Sequence, residues 1–509
     1  MSVAGWAERP RTNIWSAPVL ATVFSMVVLA LAIAFLPPFW ALVTLVGIAL
    51  LVVVLVRPEL GLWLLVFSVP YGSWRELAIG TLELTATEVL VAATLVGWLA
   101  AKVRSGSFKH TTPPLFVPLL AFIGLIVFSV TYAASLPPAL KELFKWLEVL
   151  IVYVIIADVV QTRRQVLIFV ALLFAAASSE ALLGFFQFFT KYGPDSFAVD
   201  RFLRAYGTFG QPNPYAGYLA TIAALAYSSV LASSQDVKRW PGGGARVGTQ
   251  GGSLGASPWF VWFAWACLAV SLLAILMSLS RGAWLGLGAM LAVVGAFGSR
   301  RALFVLVVIA VVLALVFLVG LLNLLPAQMV DRVSDTMAYF GVFDVTEVQA
   351  TPQNWPIVER MASWQTAWRM YEDSPLLGVG IGNYVESYRD FSLPGWNQPK
   401  GHAHNFYLNV LAEMGIVGLL AYLLLLVCFL GHAYRVVTRL AAPGGREDLK
   451  LERALAIGLL GALAVLLVHN IFDNLFVHSI GVQMGLFLGL LFVLDRLGRR
   501  RVSMGVEGI

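Results

Sequence analysis

The chain has 509 residues, of which 59% are hydrophobic and only 12% charged, with a formal net charge of +6. Soluble domains carry roughly 25% charged residues, so a soluble multi-domain enzyme is excluded. The basic balance does not point to nucleic acid either, because the Lys and Arg residues punctuate long apolar runs. Cys267 and Cys428 both lie inside such runs and argue against a disulfide or thiol site.

A membrane crossing needs about 20 apolar residues, because the hydrocarbon core is about 30 Å thick. Lipid offers the backbone no partners, so each crossing must be a helix. In chain order, hydropathy predicts fourteen spans, at 16–36, 39–56, 59–71, 85–101, 113–132, 143–160, 165–189, 213–233, 258–279, 283–299, 301–324, 404–434, 454–471 and 476–495. Pro37-Pro38 separates the first two, and the short piece at 59–71 reads as either re-entrant or incomplete, so twelve to fourteen spans are expected. No small-residue cleavage site follows the first apolar run, which is expected to stay in place as a span.

Lys and Arg favour the cytoplasmic side. With the N-terminus inside, 22 of the 34 Lys and Arg residues fall on inside segments. Five of the other twelve lie in one long loop, where the bias does not count. A multi-pass protein of the bacterial cytoplasmic (inner) membrane with both termini cytoplasmic is expected. It divides into N-terminal spans (1–140), central spans with external arginines (141–324), a large external loop (325–403), and C-terminal spans with a basic tail (404–509). Residues 234–257 hold Pro241-Gly242-Gly243-Gly244 and Gly251-Gly252, the composition of a flexible cytoplasmic linker. In the large loop, Met361, Trp364, Trp368 and Tyr371 recur at helical spacing. They predict an amphipathic helix resting on the membrane surface or on the spans, ended by Asp373, Pro375 and Gly378.

Four features gather on the external side: Arg204 in the stretch 204–213, Arg281 within Ser278-Leu279-Ser280-Arg281-Gly282, Arg360 in the loop helix, and Gly401-His402-Ala403-His404-Asn405 where the loop re-enters the membrane. Arg281 lies in a turn of about four residues at the membrane boundary, where a charge is either functional or snorkelling to the interface. Guanidinium binds phosphate oxygens in a bidentate fork, and histidine suits proton transfer near neutral pH. Three arginines with a histidine fit displacement of a phosphate leaving group by a hydroxyl.

His404-Asn405, then nine residues, then Gly415-Ile416-Val417-Gly418 resembles the signature of the O-antigen ligase and polymerase family. Ser280-Arg281-Gly282 is similar to that family too, as are Arg204 with Gly207, Phe209 and Pro212-Asn213, and the run from Glu359-Arg360 through Trp364 and Asp373 to Asn383-Tyr384. The likeness extends over roughly 140–495. It implies an all-α integral membrane protein of C-type glycosyltransferase architecture, moving a glycan from an undecaprenyl-diphosphate donor to a hydroxyl acceptor on the external face. It also implies an inverting reaction without metal or other cofactor. By position, Arg204 and Arg360 would hold the diphosphate, Arg281 would add a diphosphate or structural contact, and His404 would orient or deprotonate the acceptor. The acceptor could be a lipid, a growing glycan or a protein hydroxyl, which would make the chain a ligase, a polymerase or a protein oligosaccharyltransferase.

The remaining polar residues have plainer readings beside these. His402 and His404 lack a third metal ligand nearby in sequence, so no metal site is expected. His402 and Asn405 read as neighbours of the site. Asn213 and Asp473 could support it, though Asp473, with His469, Asn470 and His478, more simply forms an interfacial polar cap. Lys145 could reach a carrier phosphate or pair with Glu148 on one helix face. Glu180 is an intramembrane acid and so a functional candidate, with Gln187 beside it. Gly378-Val379-Gly380-Ile381-Gly382 lacks the flanking elements of a nucleotide loop and reads as a tight turn. A solute transporter, for example of bicarbonate, is the rival. It should place ionisable groups at the bilayer midplane in related halves, whereas the charges here cluster at one face.

Overall fold

The computed structural model describes residues 35, 37–72, 76–79, 82–106, 112–199, 202–237, 258–298, 343–351, 354–441 and 449–506. The expected spans at 16–36 and 301–324 and the linker at 234–257 lie outside the described residues, wholly or nearly so.

Each of the other twelve expected spans is a helix. They are α1 (Pro38–Val56), α2 (Pro58–Tyr71), α3 (Ala86–Ser105), α4 (Phe116–Val130), α5 (Leu136–Val159), α6 (Arg163–Thr190), α7 (Pro212–Val237), α8 (Pro258–Ser278), α9 (Arg281–Gly298), α12 (Phe406–Arg439), α13 (Lys450–His469) and α14 (Ile480–Val506). Between α9 and α12 lie α10 (Trp355–Asp373) and α11 (Tyr384–Phe391). Among the described residues nine helices are long and apolar enough to cross a membrane. The chain is an all-α integral membrane protein. Its described strands are two short antiparallel hairpins. β1 (Glu76–Ile79) pairs with β2 (Leu82–Thr85) with Glu76 opposite Thr85, and β3 (Ala198–Val199) pairs with β4 (Phe202–Leu203) with Ala198 opposite Leu203.

The sequence marks its own helix starts. Thr85 accepts from the Glu88 N–H at 3.3 Å while the Glu88 carboxylate accepts from the Thr85 N–H at 2.6 Å, a reciprocal cap. Thr162 and Gln165 repeat it at α6. Helix α2 has 14 residues, about 21 Å at 1.5 Å per residue, too short for a full crossing.

Helix association in lipid depends on close backbone approach at small residues. α13 is wedged between α7 and α9 in this way. A Cβ on Gly458 would lie 2.8 Å from the Leu225 Cα of α7, and one on Gly286 of α9 would lie 3.1 Å from Val465 of α13. α14 lies on α5 with Gly485 and Gly489 against Val149 and Ile156.

The two ends of the bundle differ. One end is tied by ion pairs: Lys102–Asp158 at 2.7 Å, Arg163–Glu452 at 3.2 Å, Arg499–Asp495 at 2.8 Å, and Arg439–Asp495. The opposite end carries the turns at 191–211, 279–280 and 470–479 together with the 343–405 segment.

Helix α10 forms where the loop helix is expected, but its buried stripe is displaced. Val358, Ala362, Thr366 and Met370 are buried at i, i+4 spacing, with Met361 beside them. Trp368, expected on that stripe, is 48% exposed. β-branched and small residues fill the contact where the helix meets its neighbours closely, and the bulky indole is left at the edge.

Candidate functional site

The site forms at the end of the bundle away from the ion pairs. Asn405 is the N-cap of α12, its side chain accepting from the Leu408 N–H at 3.1 Å. Asn409, one turn on, accepts from the Ala403 N–H at 3.1 Å. The Phe406 N–H donates to the Asn470 carbonyl at 2.8 Å, which ties the start of α12 to the turn between α13 and α14. His404 is held at φ 51°, a left-handed conformation uncommon outside glycine. Both of its backbone polar groups are engaged: its N–H donates to His402 Nδ1 at 3.1 Å, and its carbonyl accepts from Trp364 Nε1 at 3.3 Å. Strain of this kind persists where surrounding contacts over-determine it.

Asp473 joins the pieces. One carboxylate oxygen lies 3.3 Å from His404 Nδ1 and 3.6 Å from His402 Nε2. The other accepts from Asn213 Nδ2 at 2.5 Å. Asn213 in turn accepts from Arg204 Nη2 at 3.3 Å, and Arg204 Nε donates to the last carbonyl of α8, at Ser278, at 2.8 Å. A continuous chain therefore runs Arg204–Asn213–Asp473–His404, across three segments far apart in sequence.

Burial alone would raise the Asp473 pKa, but the hydrogen bond from His404 and the electrostatic pull of His402, Arg360 and His404 outweigh it and hold the carboxyl well below its usual range. The group is an anion and only accepts. His404 Nδ1 is therefore the ring nitrogen that donates to Asp473, which leaves Nε2 as the one not engaged by the carboxylate. Burial pushes His402 down to about 4, opposed by Asp473 and assisted by His404 and Arg360, so it is neutral at pH 7. Its Nδ1 accepts a backbone N–H, so its Nε2 is the protonated nitrogen and points at Asp473.

His402, His404 and Asp473 hold donor atoms within 4.8 Å of one another, the spacing of a metal site. Asp473 is the third ligand that the His-x-His spacing lacked in the sequence. The tautomer argues against it. A neutral His402 that accepts at Nδ1 has no lone pair to offer at Nε2. The set fits two N–H donors converging on a carboxylate.

The remaining expected residues divide. Arg360 is half-buried and acts electrostatically on Asp473 and His402, with no ion pair among the described residues. Arg281 is the exposed first residue of α9. Its neighbour Gly282 packs on the His469 ring, a Cβ there lying 2.8 Å from it, and the His469 carbonyl accepts from the Asp473 N–H at 3.1 Å. Arg281 thus lies beside the cluster, directly after a two-residue turn (279–280) shorter than expected.

Glu180 and Gln187 do not reach the cluster. Glu180 accepts from the Thr208 N–H and hydroxyl at 3.0 and 2.8 Å. Gln187 takes the Tyr206 and Gly207 N–H groups at 3.1 and 2.7 Å and donates to the Gly207 carbonyl at 2.8 Å. Together they shape the loop that presents Arg204. Asn405 is a helix cap. Lys145 pairs with Glu142 at 2.5 Å, one turn before it on the helix, and not with Glu148 one turn after. Asp473, read from the sequence as at most a supporting residue, is the hub.

The glycines of the sequence motif have a shared cause. Gly415 interrupts α12 at φ 61°, ψ −165°, and a Cβ there would lie 2.3 Å from the Leu376 carbonyl. The 375–380 loop docks into this break: Ile416 N–H to Pro375 O at 2.9 Å, Val379 N–H to Ala412 O at 3.0 Å, and Gly380 N–H to Glu413 O at 2.8 Å. Gly378, Gly380 and Gly382 all have positive φ, so this run is a tight turn clasped to α12.

Residues 266–423 match the family model described as O-antigen ligase. The match includes Arg281, Arg360, His402 and His404 and leaves out Arg204, Asn213 and Asp473. No curated protein matches the chain.

Proposed function

We propose, from the premise that this chain belongs to the O-antigen ligase family, that it transfers a glycan from a polyprenyl-diphosphate donor to a hydroxyl acceptor, on the external face of the cytoplasmic membrane. The observation that carries the proposal is the Arg204–Asn213–Asp473–His404 chain, which joins an anion-binding group to a proton acceptor.

In this reading the acceptor hydroxyl approaches His404 Nε2. Its oxygen attacks the anomeric carbon from the face opposite the diphosphate, the C–O bond to the diphosphate breaks, and His404 takes the proton. Asp473 holds the imidazole in the required tautomer and stabilises it once charged. Arg204, fixed by Ser278 and Asn213, and Arg360 neutralise charge growing on the leaving oxygen. Arg281 adds positive charge at the same end. A diphosphate needs little acid assistance, so electrostatic stabilisation is the larger contribution and a positioned base adds roughly 10²–10⁴-fold. No step needs a metal.

The test is transfer by purified protein from an undecaprenyl-diphosphate glycan to lipid, glycan and peptide acceptors, with and without a chelator. His404→Ala should abolish release of undecaprenyl diphosphate while the protein stays in the membrane. Wild-type release by that variant would overturn the role of His404, and loss of activity with chelator would overturn the metal-free step.

A further inference from the structure

Resting on that transfer reading, we infer a glycan-binding subsite at the N-terminal turn of α10, built on Trp355 and Trp396 and edged by Glu359 and Lys400, which holds the donor's sugars beyond the first. The two indoles lie 4.8 Å apart at an interplanar angle of 35°, and Trp355 is 44% exposed. Trp396 packs against the small core of Val345, Val358 and Leu393, which fixes the platform. Trp355 Nε1 donates to Glu359 Oε1 at 3.3 Å, and Lys400 Nζ lies 3.6 Å from the same oxygen. An open aromatic face is thus bordered by a carboxylate and an ammonium that remain accessible.

That combination fits a sugar. A pyranose offers an apolar C–H face to an aromatic ring and hydroxyls at its rim, where Glu359 can accept and Lys400 can donate. Hydrocarbon would desolvate the Lys400–Glu359 pair without offering it a partner. Position agrees with chemistry. Trp364 and Arg360, four residues apart, share the stripe of α10 that faces His404, since Trp364 bonds the His404 carbonyl. Trp355 and Glu359 occupy the neighbouring stripe. Trp355 is therefore about 7.5 Å along the helix axis from Arg360, at 1.5 Å per residue, a separation that a donor's sugar chain spans if Arg360 holds its diphosphate.

Two measurements test this. In transfer assays, Trp355→Ala should raise KM about 3- to 10-fold for a donor carrying the full oligosaccharide, with kcat nearly unchanged, and leave KM for a donor carrying one sugar as it was. Trp355→Phe should recover most of the loss. An equal effect on both donors, or none on either, overturns the subsite while leaving transfer itself intact. Independently of turnover, saturation-transfer NMR with the free oligosaccharide released by mild acid from the producing strain's lipid-linked glycan should show contact with wild-type protein, weakened in Trp355→Ala. Lack of contact with the wild type overturns the inference, whereas absence of any transfer by a wild type that does bind the oligosaccharide counts against the transfer reading alone.

Discussion

Asp473 lies 69 residues after His404 and 260 after Asn213, yet bonds both. Because it accepts from His404 Nδ1, removing its charge should cost catalysis and spare binding. Asp473→Asn should lower kcat by about 10²-fold with KM within about 3-fold, and purified protein should elute as the wild type does. A larger rise in KM than fall in kcat would assign Asp473 to substrate binding. The neutral His402 carries a pH signature. Its pKa is about 4 in the folded protein, against about 6.5 unfolded, so between those values the unfolded chain binds more protons. Stability therefore falls on acidification from about pH 6.5 to 4, by about 3 kcal/mol at the lower limit. Asp473, held low, gives up its own contribution only below about pH 4. Thermal midpoints in detergent across this range should drop for the wild type and stay flatter for His402→Gln. The arginines and His404 stand out in the sequence as candidates, through residue chemistry and through the resemblance to the family signature. Asp473 does not, since an acid in a short turn looks the same whether it caps a helix end or orients a histidine.

At the scale of elements, the spans were read well and their partners poorly. Hydropathy marks each apolar run directly, and all twelve within the described residues are helices. Pairing choices such as Lys145 with Glu142, or the buried stripe of α10, depend on which neighbour approaches, which one strand of sequence does not state. Gly415 is where local and tertiary constraints meet. Its φ, ψ pair belongs to a region that is essentially glycine's alone, costing other residues of order 1–3 kcal/mol, and a side chain would collide with Leu376 besides. Gly415→Ala should therefore lower the thermal midpoint and release the 375–380 loop to protease, whereas Gly124→Ala in α4, with nothing within 4 Å of its Cβ, should leave both unchanged. Equal behaviour of the two variants would show that the clasp does not need the break in α12.

For the molecule as a whole, the polarity of the bundle is the feature that couples fold to function. The ion-paired end and the histidine end are separated by the lengths of the spans, and Lys and Arg concentrate on segments at the former. In the proposed orientation, which the positive-inside bias supports, the ion pairs would face the cytoplasm and the cluster the outside. Natural Cys267 is buried and Cys428 half-buried, so engineered surface cysteines report cleanly in a background where both are replaced. Asn397→Cys, on the exposed loop leading to His404, should react with a membrane-impermeant maleimide in intact cells from which any outer membrane has been stripped. Ser105→Cys, exposed at the ion-paired end of α3, should react only after the cytoplasmic membrane is opened. The reverse pattern would place the histidine cluster in the cytoplasm and remove the basis for transfer at the outer leaflet. The expected pattern would set Arg204, Arg281 and Arg360 where a lipid anchored in that leaflet presents its diphosphate. It would also explain why the anion-binding groups lie at helix ends and not at the bilayer midplane, where a transporter would need them.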